Sequence, residues 1–163
     1  MRNWSYTIKE GEHAGKTLWS GRYCAVCGII TLFNEGNWYV LANKRGPGTP
    51  DYQGYWNMPC GYLEADETAE QGVCREILEE TGYRINPNDL FVHKIETDPA
   101  ECNNGNVTLY YHAYLNRMPE FIYKHQGEDN EVDEVLWIKL DDVSSYKWAF
   151  NHENIIKSFI TSI

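Results

Sequence analysis

Apolar residues along this chain mostly alternate with polar ones or run unbroken over a few positions, and only twice do they recur at helical spacing. Tyr23 to Phe33 is an almost continuous apolar run, and Trp38 to Asn43 follows after the polar turn Asn34-Glu35-Gly36-Asn37. Two strands joined by a tight turn are therefore predicted. A first hairpin is expected between Trp4 and Trp19, and further strands at Leu90 to Glu96, Val107 to Leu115 and Glu134 to Lys139. The polar stretch Asp98 to Asn106 and the acidic stretch Gly127 to Asp133 read as loops between them. Arg45 to Tyr55 holds three glycines and two prolines, which predicts a loop, and loops on a rigid scaffold often touch ligands.

The two helical stretches differ in character. Ala149, Ile155, Ile156, Phe159 and Ile160 outline an amphipathic helix near the C terminus. The other stretch starts between Asp66 and Thr68, since Asp66 suits an N-cap and Thr68 with Gln71 has capping-box spacing, and it stops at Gly82. With Ala69 set at zero and about 100° per residue, Val73 falls near ~40°, Glu76 near ~340° and Glu80 near ~20°. Two carboxylates thus continue the stripe that Ala69 and Val73 bury.

Propensity does not explain that placement. Glu76 with Glu80, and Glu76 with Glu79, are like-charge neighbours costing roughly 0.2–0.5 kcal/mol each even on an exposed helix. They also occupy the last turns, where the helix dipole favours cations. Arg75 offers one positive charge and stands four residues before Glu79, within reach of it. The remaining deficit suits Mg²⁺ or Mn²⁺, hard ions that take carboxylate, carbonyl and water oxygens and are often shared with substrate phosphates.

Composition narrows the partners. The 163 residues fit one domain, 1–163, and the formal net charge of -10 argues against a basic surface for long nucleic acid. No apolar run is long enough for a membrane span and the N terminus does not read as a signal peptide, so the cytoplasm is the expected location. Five cysteines at irregular spacing predict free thiols rather than a disulfide framework. Cys24 and Cys27 have redox or zinc spacing but lie inside a predicted strand, and are read as small core residues.

The segment Gly61 to Tyr83, GYLEADETAEQGVCREILEETGY, resembles the signature of the Nudix hydrolases. Gly61, Glu67, Arg75, Glu76, Ile77, Glu79, Glu80 and Gly82 fall in register, and Tyr83 replaces the final aliphatic residue. Upstream, Trp56 to Gly61 resembles the strand and turn that lead into the motif, with Cys60 where a second glycine is common. Strands interspersed with two helices already suggest an α/β sandwich. The resemblance sharpens this to a Nudix-type α/β/α fold with a mixed sheet and the signature loop-helix in the centre of the chain.

That resemblance implies a divalent-metal-dependent hydrolase of a phosphoanhydride bond in a nucleoside diphosphate derivative, such as ADP-ribose or a nucleotide sugar. Dinucleoside polyphosphates and modified nucleoside triphosphates are the alternative substrates. It implies Mg²⁺, with Mn²⁺ as the other candidate, on Glu76, Glu80 and the backbone carbonyl of Cys60. Glu79 would be a ligand or a water-organising base, Arg75 the orienting partner of the carboxylates, and Glu67 a supporting group at the helix start. A non-catalytic nucleotide-sensing module is the competing class, although such domains often lose signature carboxylates that this chain keeps. Whether two copies pair as a homodimer stays open.

Outside the signature, Lys44 and Arg45 end a predicted strand beside the glycine- and proline-rich loop, from where either could reach a diphosphate, an exposed strand-end pair being the equal alternative. Among Glu128, Glu131 and Glu134, which a solvated acidic loop mostly accounts for, Glu131 is singled out for a metal or water. Tyr23, Tyr52 and Tyr55 are candidate base contacts. Ala149 to His152 resembles a stretch in relatives of ADP-ribose hydrolases, and Pro99 stands at roughly the distance noted for that subgroup. For His152 the preferred reading is a side chain satisfying a helix terminus.

Overall fold

The computed structural model describes residues 4–102, 105–116 and 130–161. The first hairpin pairs β1 (Trp4–Thr7) with β2 (Thr17–Ser20) as a separate two-stranded sheet. A seven-stranded mixed sheet comprises β3 (Cys24–Asn34), β4 (Asn37–Arg45), β5 (Trp56–Asn57), β6 (Cys60–Tyr62), β7 (Phe91–Glu96), β8 (Val107–Leu115) and β9 (Val132–Lys139). Glu128 and part of both polar loops lie outside the described residues.

Strand β3 runs parallel to β8 along one edge and antiparallel to β4 along the other. The β3–β4 ladder covers only Thr31 to Asn34 against Asn37 to Val40, after which the strands part. Beyond that point β6 takes the open edge of β3, while β5 takes that of β4. The parting leaves a cleft in the sheet, and the chain between β5 and β6 crosses it.

Helix α1 (Ala69–Thr81) covers one face and α2 (His152–Ile160) the other. Alternation along β3 sends Val26 and Ile30 toward Val73 and Ile77 of α1, and Cys27 and Ile29 toward Ile155, Ile156 and Phe159 of α2. Both faces are buried, which is why the run reads as continuously apolar. Burying a side chain such as Ile77 contributes roughly 1.5–3 kcal/mol. Gly28 leaves room for the close approach of α1, because a Cβ there would stand 3.0 Å from Ile77 Cδ1.

The N-cap of helix α1 is Thr68 and not Asp66. Thr68 accepts from the Gln71 amide while the Gln71 side chain accepts from the Thr68 amide, a complete capping box. Gly82 ends the helix in the left-handed region at φ 71°. Ala149 is buried but precedes α2, so that helix begins later than its apolar pattern implied.

Candidate active site

The capped helix and the β6 turn bring the signature carboxylates to the wall of a cavity of about 410 Å³ lined by Glu76, Glu79, Glu80, Cys60, Arg45 and Phe150 among others. Arg75 stands behind this wall and organises it. Its Nε and Nη2 reach both oxygens of Glu67 at 3.0 and 2.7 Å, while its Nη1 reaches Glu76 at 2.6 Å and Glu79 at 3.2 Å. Nη2 also donates to the Tyr62 carbonyl at 3.0 Å, tying α1 to β6. The Arg75 fork holds the Glu67 carboxyl below its usual range. Glu67 does not line the cavity and is joined to its wall through Arg75.

Gly61 is required by space rather than by backbone dihedral. A Cβ there would lie 2.1 Å from Glu76 Oε1, so the carboxylate rests directly on the β6 backbone. Cys60, in place of the second glycine, sits in β6 with no positive φ. The hydrogen bonds Leu63 N to Cys24 O and Gly28 N to Pro59 O set the β3–β6 register, making Cys27 and Cys60 a non-hydrogen-bonded pair. Both peptide groups of Cys60 therefore point away from β3. Its amide donates to Glu80 Oε2 at 3.0 Å, and its carbonyl is directed to the same side of the strand as that amide.

Positive charge falls short here. Burial, then the neighbouring Cys60 and Glu76, raises the Glu80 carboxyl well above the usual carboxylate range, and burial also raises Glu76. Recessed carboxylates beside a free-standing carbonyl are the donor set that a hard divalent cation takes. The residues present therefore fit Mg²⁺ or Mn²⁺, and Glu76, Glu80 and the Cys60 carbonyl are the groups that would hold it. Glu79 is more exposed than Glu76, at 41% against 12% of its side chain, and faces the same cavity.

Strand alternation separates Lys44 from Arg45. Lys44 pairs with Asp133 at 2.9 Å and lies outside the cavity lining, so it is not brought to the site. Arg45 lines the cavity, bonds Asp51 through Nη2 at 2.6 Å, and stacks 5.0 Å from the centre of the Phe150 ring. Phe150 is held at φ 55°, in the left-handed region, and meets Tyr52 edge-on at 5.0 Å. Sequence reasoning noticed the stretch around Phe150 but not its ring as part of the wall. Tyr55 packs against Tyr52, and Tyr23 against the lining residue Tyr62, but neither Tyr55 nor Tyr23 itself lines the cavity. Glu131 is exposed and belongs to the cavity lining, its carbonyl accepting from the Gly46 amide at 2.7 Å.

His152 does not serve a helix terminus. Its Nδ1 accepts the Met58 amide at 3.0 Å, deep in the core, and Nε2 faces Cys27 Sγ at 3.9 Å. Desolvation, with a contribution from Arg45, lowers its pKa to about 3. The folded protein holds this ring neutral, whereas the unfolded chain protonates it below about 6.5. As pH falls from about 6.5 toward 3, His152 should thus remove about 1.4 kcal/mol of stability per pH unit. Denaturant titrations across that window should show a component of this slope that is missing from a His152→Gln variant.

Cys24 and Cys27, three positions apart on a strand, face opposite sides and do not pair. Cys27 instead meets Cys60 and His152, and the three donor atoms lie within 4.8 Å of one another. A metal held by all three is disfavoured, because the Met58 amide occupies the Nδ1 lone pair and leaves the proton on Nε2, the atom facing Cys27.

The chain belongs to the NUDIX domain family, whose model matches residues 22–159. It is 53% identical over 88 residues to the phosphatase NudJ of Escherichia coli O1:K1 / APEC, covering 54% of each chain. It is 28% identical over 127 residues to an oxidized purine nucleoside triphosphate hydrolase of Danio rerio, covering 74% of this chain and 70% of the relative. Across the first five relatives the match spans between 21% and 70% of the relative's length. The fold is similar to the NUDIX domain of Shewanella oneidensis NrtR, solved with ADP ribose, at a TM-score of 0.72 and 22% identity over 88% of this chain and 89% of that one. Among the described residues no helix is long and apolar enough to cross a membrane.

Proposed function

We propose that this protein is a divalent-metal-dependent hydrolase of the phosphoanhydride bond in a nucleoside diphosphate derivative, ADP-ribose or a nucleotide sugar being the favoured class. The observation that carries this reading is the convergence of Glu76, Glu79 and Glu80 on one cavity wall with too little protein cation to balance them. A bound divalent ion polarises a phosphoryl oxygen and lowers the pKa of its water. Glu76 and Glu80 hold their oxygens in place through Arg75 and the Cys60 amide, which spares reorganisation during the reaction. Glu79, more exposed than Glu76, would take a proton from water, and Glu131 adds a further carboxylate to the cavity lining.

Other residues of the cavity lining suit the rest of the substrate. Arg45 presents a cation to the diphosphate, and the Phe150 ring beside it offers a face to a base or sugar. The ADP ribose in the Shewanella domain supports this class, while the name of the Danio relative keeps modified nucleoside triphosphates as the next one. Retention of the carboxylates favours turnover over a sensing role. Incubation with Mg²⁺ and a panel of ADP-ribose, nucleotide sugars, dinucleoside polyphosphates and normal and oxidised nucleoside triphosphates, resolved by mass, tests it. One dominant substrate giving a nucleoside monophosphate is expected; tight binding with no product would support the sensor instead.

A further inference from the structure

Cys27 and Cys60 stand 33 positions apart in the chain, yet they face each other across the β3–β6 ladder. Their pair is of the non-hydrogen-bonded kind, in which Cα atoms approach to about 4.5 Å and side chains come closest. A disulfide needs a Cα separation of roughly 4.4–6.8 Å, so this register places the two thiols where one can close. The sulfurs lie within 4.8 Å of each other and both residues line the cavity. Cys27 is 1% exposed and Cys60 is more open, so oxidants arriving through the cavity meet Cys60 first.

We propose that Cys27 and Cys60 form a hydroperoxide-sensitive modification site that closes a reversible disulfide beneath the carboxylate wall. In the first step Cys60 Sγ attacks the peroxide, the O–O bond breaks, and Cys60 becomes a sulfenic acid with release of water. Cys27 Sγ then attacks Cys60 Sγ, and the sulfenic oxygen leaves as a second water with the remaining thiol proton. Two thiols and one hydrogen peroxide thus give one disulfide and two waters.

Closure draws the sulfurs to about 2.05 Å. Cys60 must shift toward β3, which breaks its contact with Asn57 Nδ2 at 3.5 Å and pulls on the amide that holds Glu80 at 3.0 Å. The disulfide therefore loosens Glu80 and lowers turnover.

The test treats the metal-free full chain with hydrogen peroxide, alkylates the remaining thiols and maps the peptides by mass. The expected result is a single intramolecular crosslink joining the peptides that carry Cys27 and Cys60, removed by dithiothreitol. Cys60 carried to sulfinic acid with Cys27 left free, or a crosslink between another pair, overturns the proposal. This readout does not depend on the hydrolase reading. Turnover on the preferred substrate should fall at least about tenfold with the crosslink and return on reduction, since small misplacements of catalytic groups have effects of that size or larger. A crosslink with unchanged turnover overturns the coupling to Glu80. In Cys27→Ser, or Cys27→Ala should the first not fold, the crosslink to the Cys60 peptide should vanish; a disulfide from Cys60 to another cysteine in its place overturns the pairing.

Discussion

Glu80→Gln should lower turnover by ~100-fold or more, the scale seen when a single preorganised electrostatic group is removed. The substitution keeps the size of the side chain and an oxygen for the Cys60 amide, now 3.0 Å from Glu80 Oε2, so the wall keeps its shape. What disappears is the charge. In chelator the same variant should melt at the wild-type temperature or above it, because a carboxyl raised by burial weakens the fold when it ionises at neutral pH. Lost activity combined with undiminished stability identifies a group kept for function. Unchanged turnover would show that Glu80 holds no metal.

Gly61→Ala should have an effect of similar size by a different route. The added Cβ would stand 2.1 Å from Glu76 Oε1 and 2.3 Å from its carboxyl carbon. Glu76 is the end of a flexible side chain and can move, so the fold should survive. Its present position is held by Arg75 at 2.6 Å, however, and a displacement of about 1 Å at a reacting centre costs on the order of 10²-fold. Steady-state kinetics and a thermal melt on the variant separate these effects. Near-normal turnover would mean that Glu76 does not need its observed place.

The helix that carries the site was legible because its signals are local. Thr68, Gln71 and Gly82 specify its ends by hydrogen bonds within a few residues, and 3.6-residue periodicity puts Glu76 and Glu80 on one side. The β3 and β4 strands announced themselves through apolar runs and the turn at Asn34 to Asn37.

Contacts between distant parts of the chain left weaker traces. The opposite fates of Lys44 and Arg45 depend on which face of β4 meets the cavity, and that is settled by β5 and β9 rather than by the dipeptide. His152 looked like a helix-end residue because nothing in its neighbourhood reveals that the Met58 amide, 94 positions away, would fill its Nδ1. The Cys27–Cys60 pair follows from the β3–β6 register alone, while the visible Cys24–Cys27 spacing, read from the sequence as two core residues, joins side chains that strand alternation turns apart. Phe150 at φ 55° could be anticipated only from its backbone, since an aromatic residue is unusual there.

The central claim is that the α1 carboxylates form a site completed by a divalent cation, and direct titration of the purified protein with Mn²⁺ by calorimetry, with and without nucleotide, tests it most directly. Saturable binding to the wild type that is lost or strongly weakened in both Glu80→Gln and Glu76→Gln is the predicted result. Binding that both variants retain, or no binding by the wild type under either condition, would contradict it.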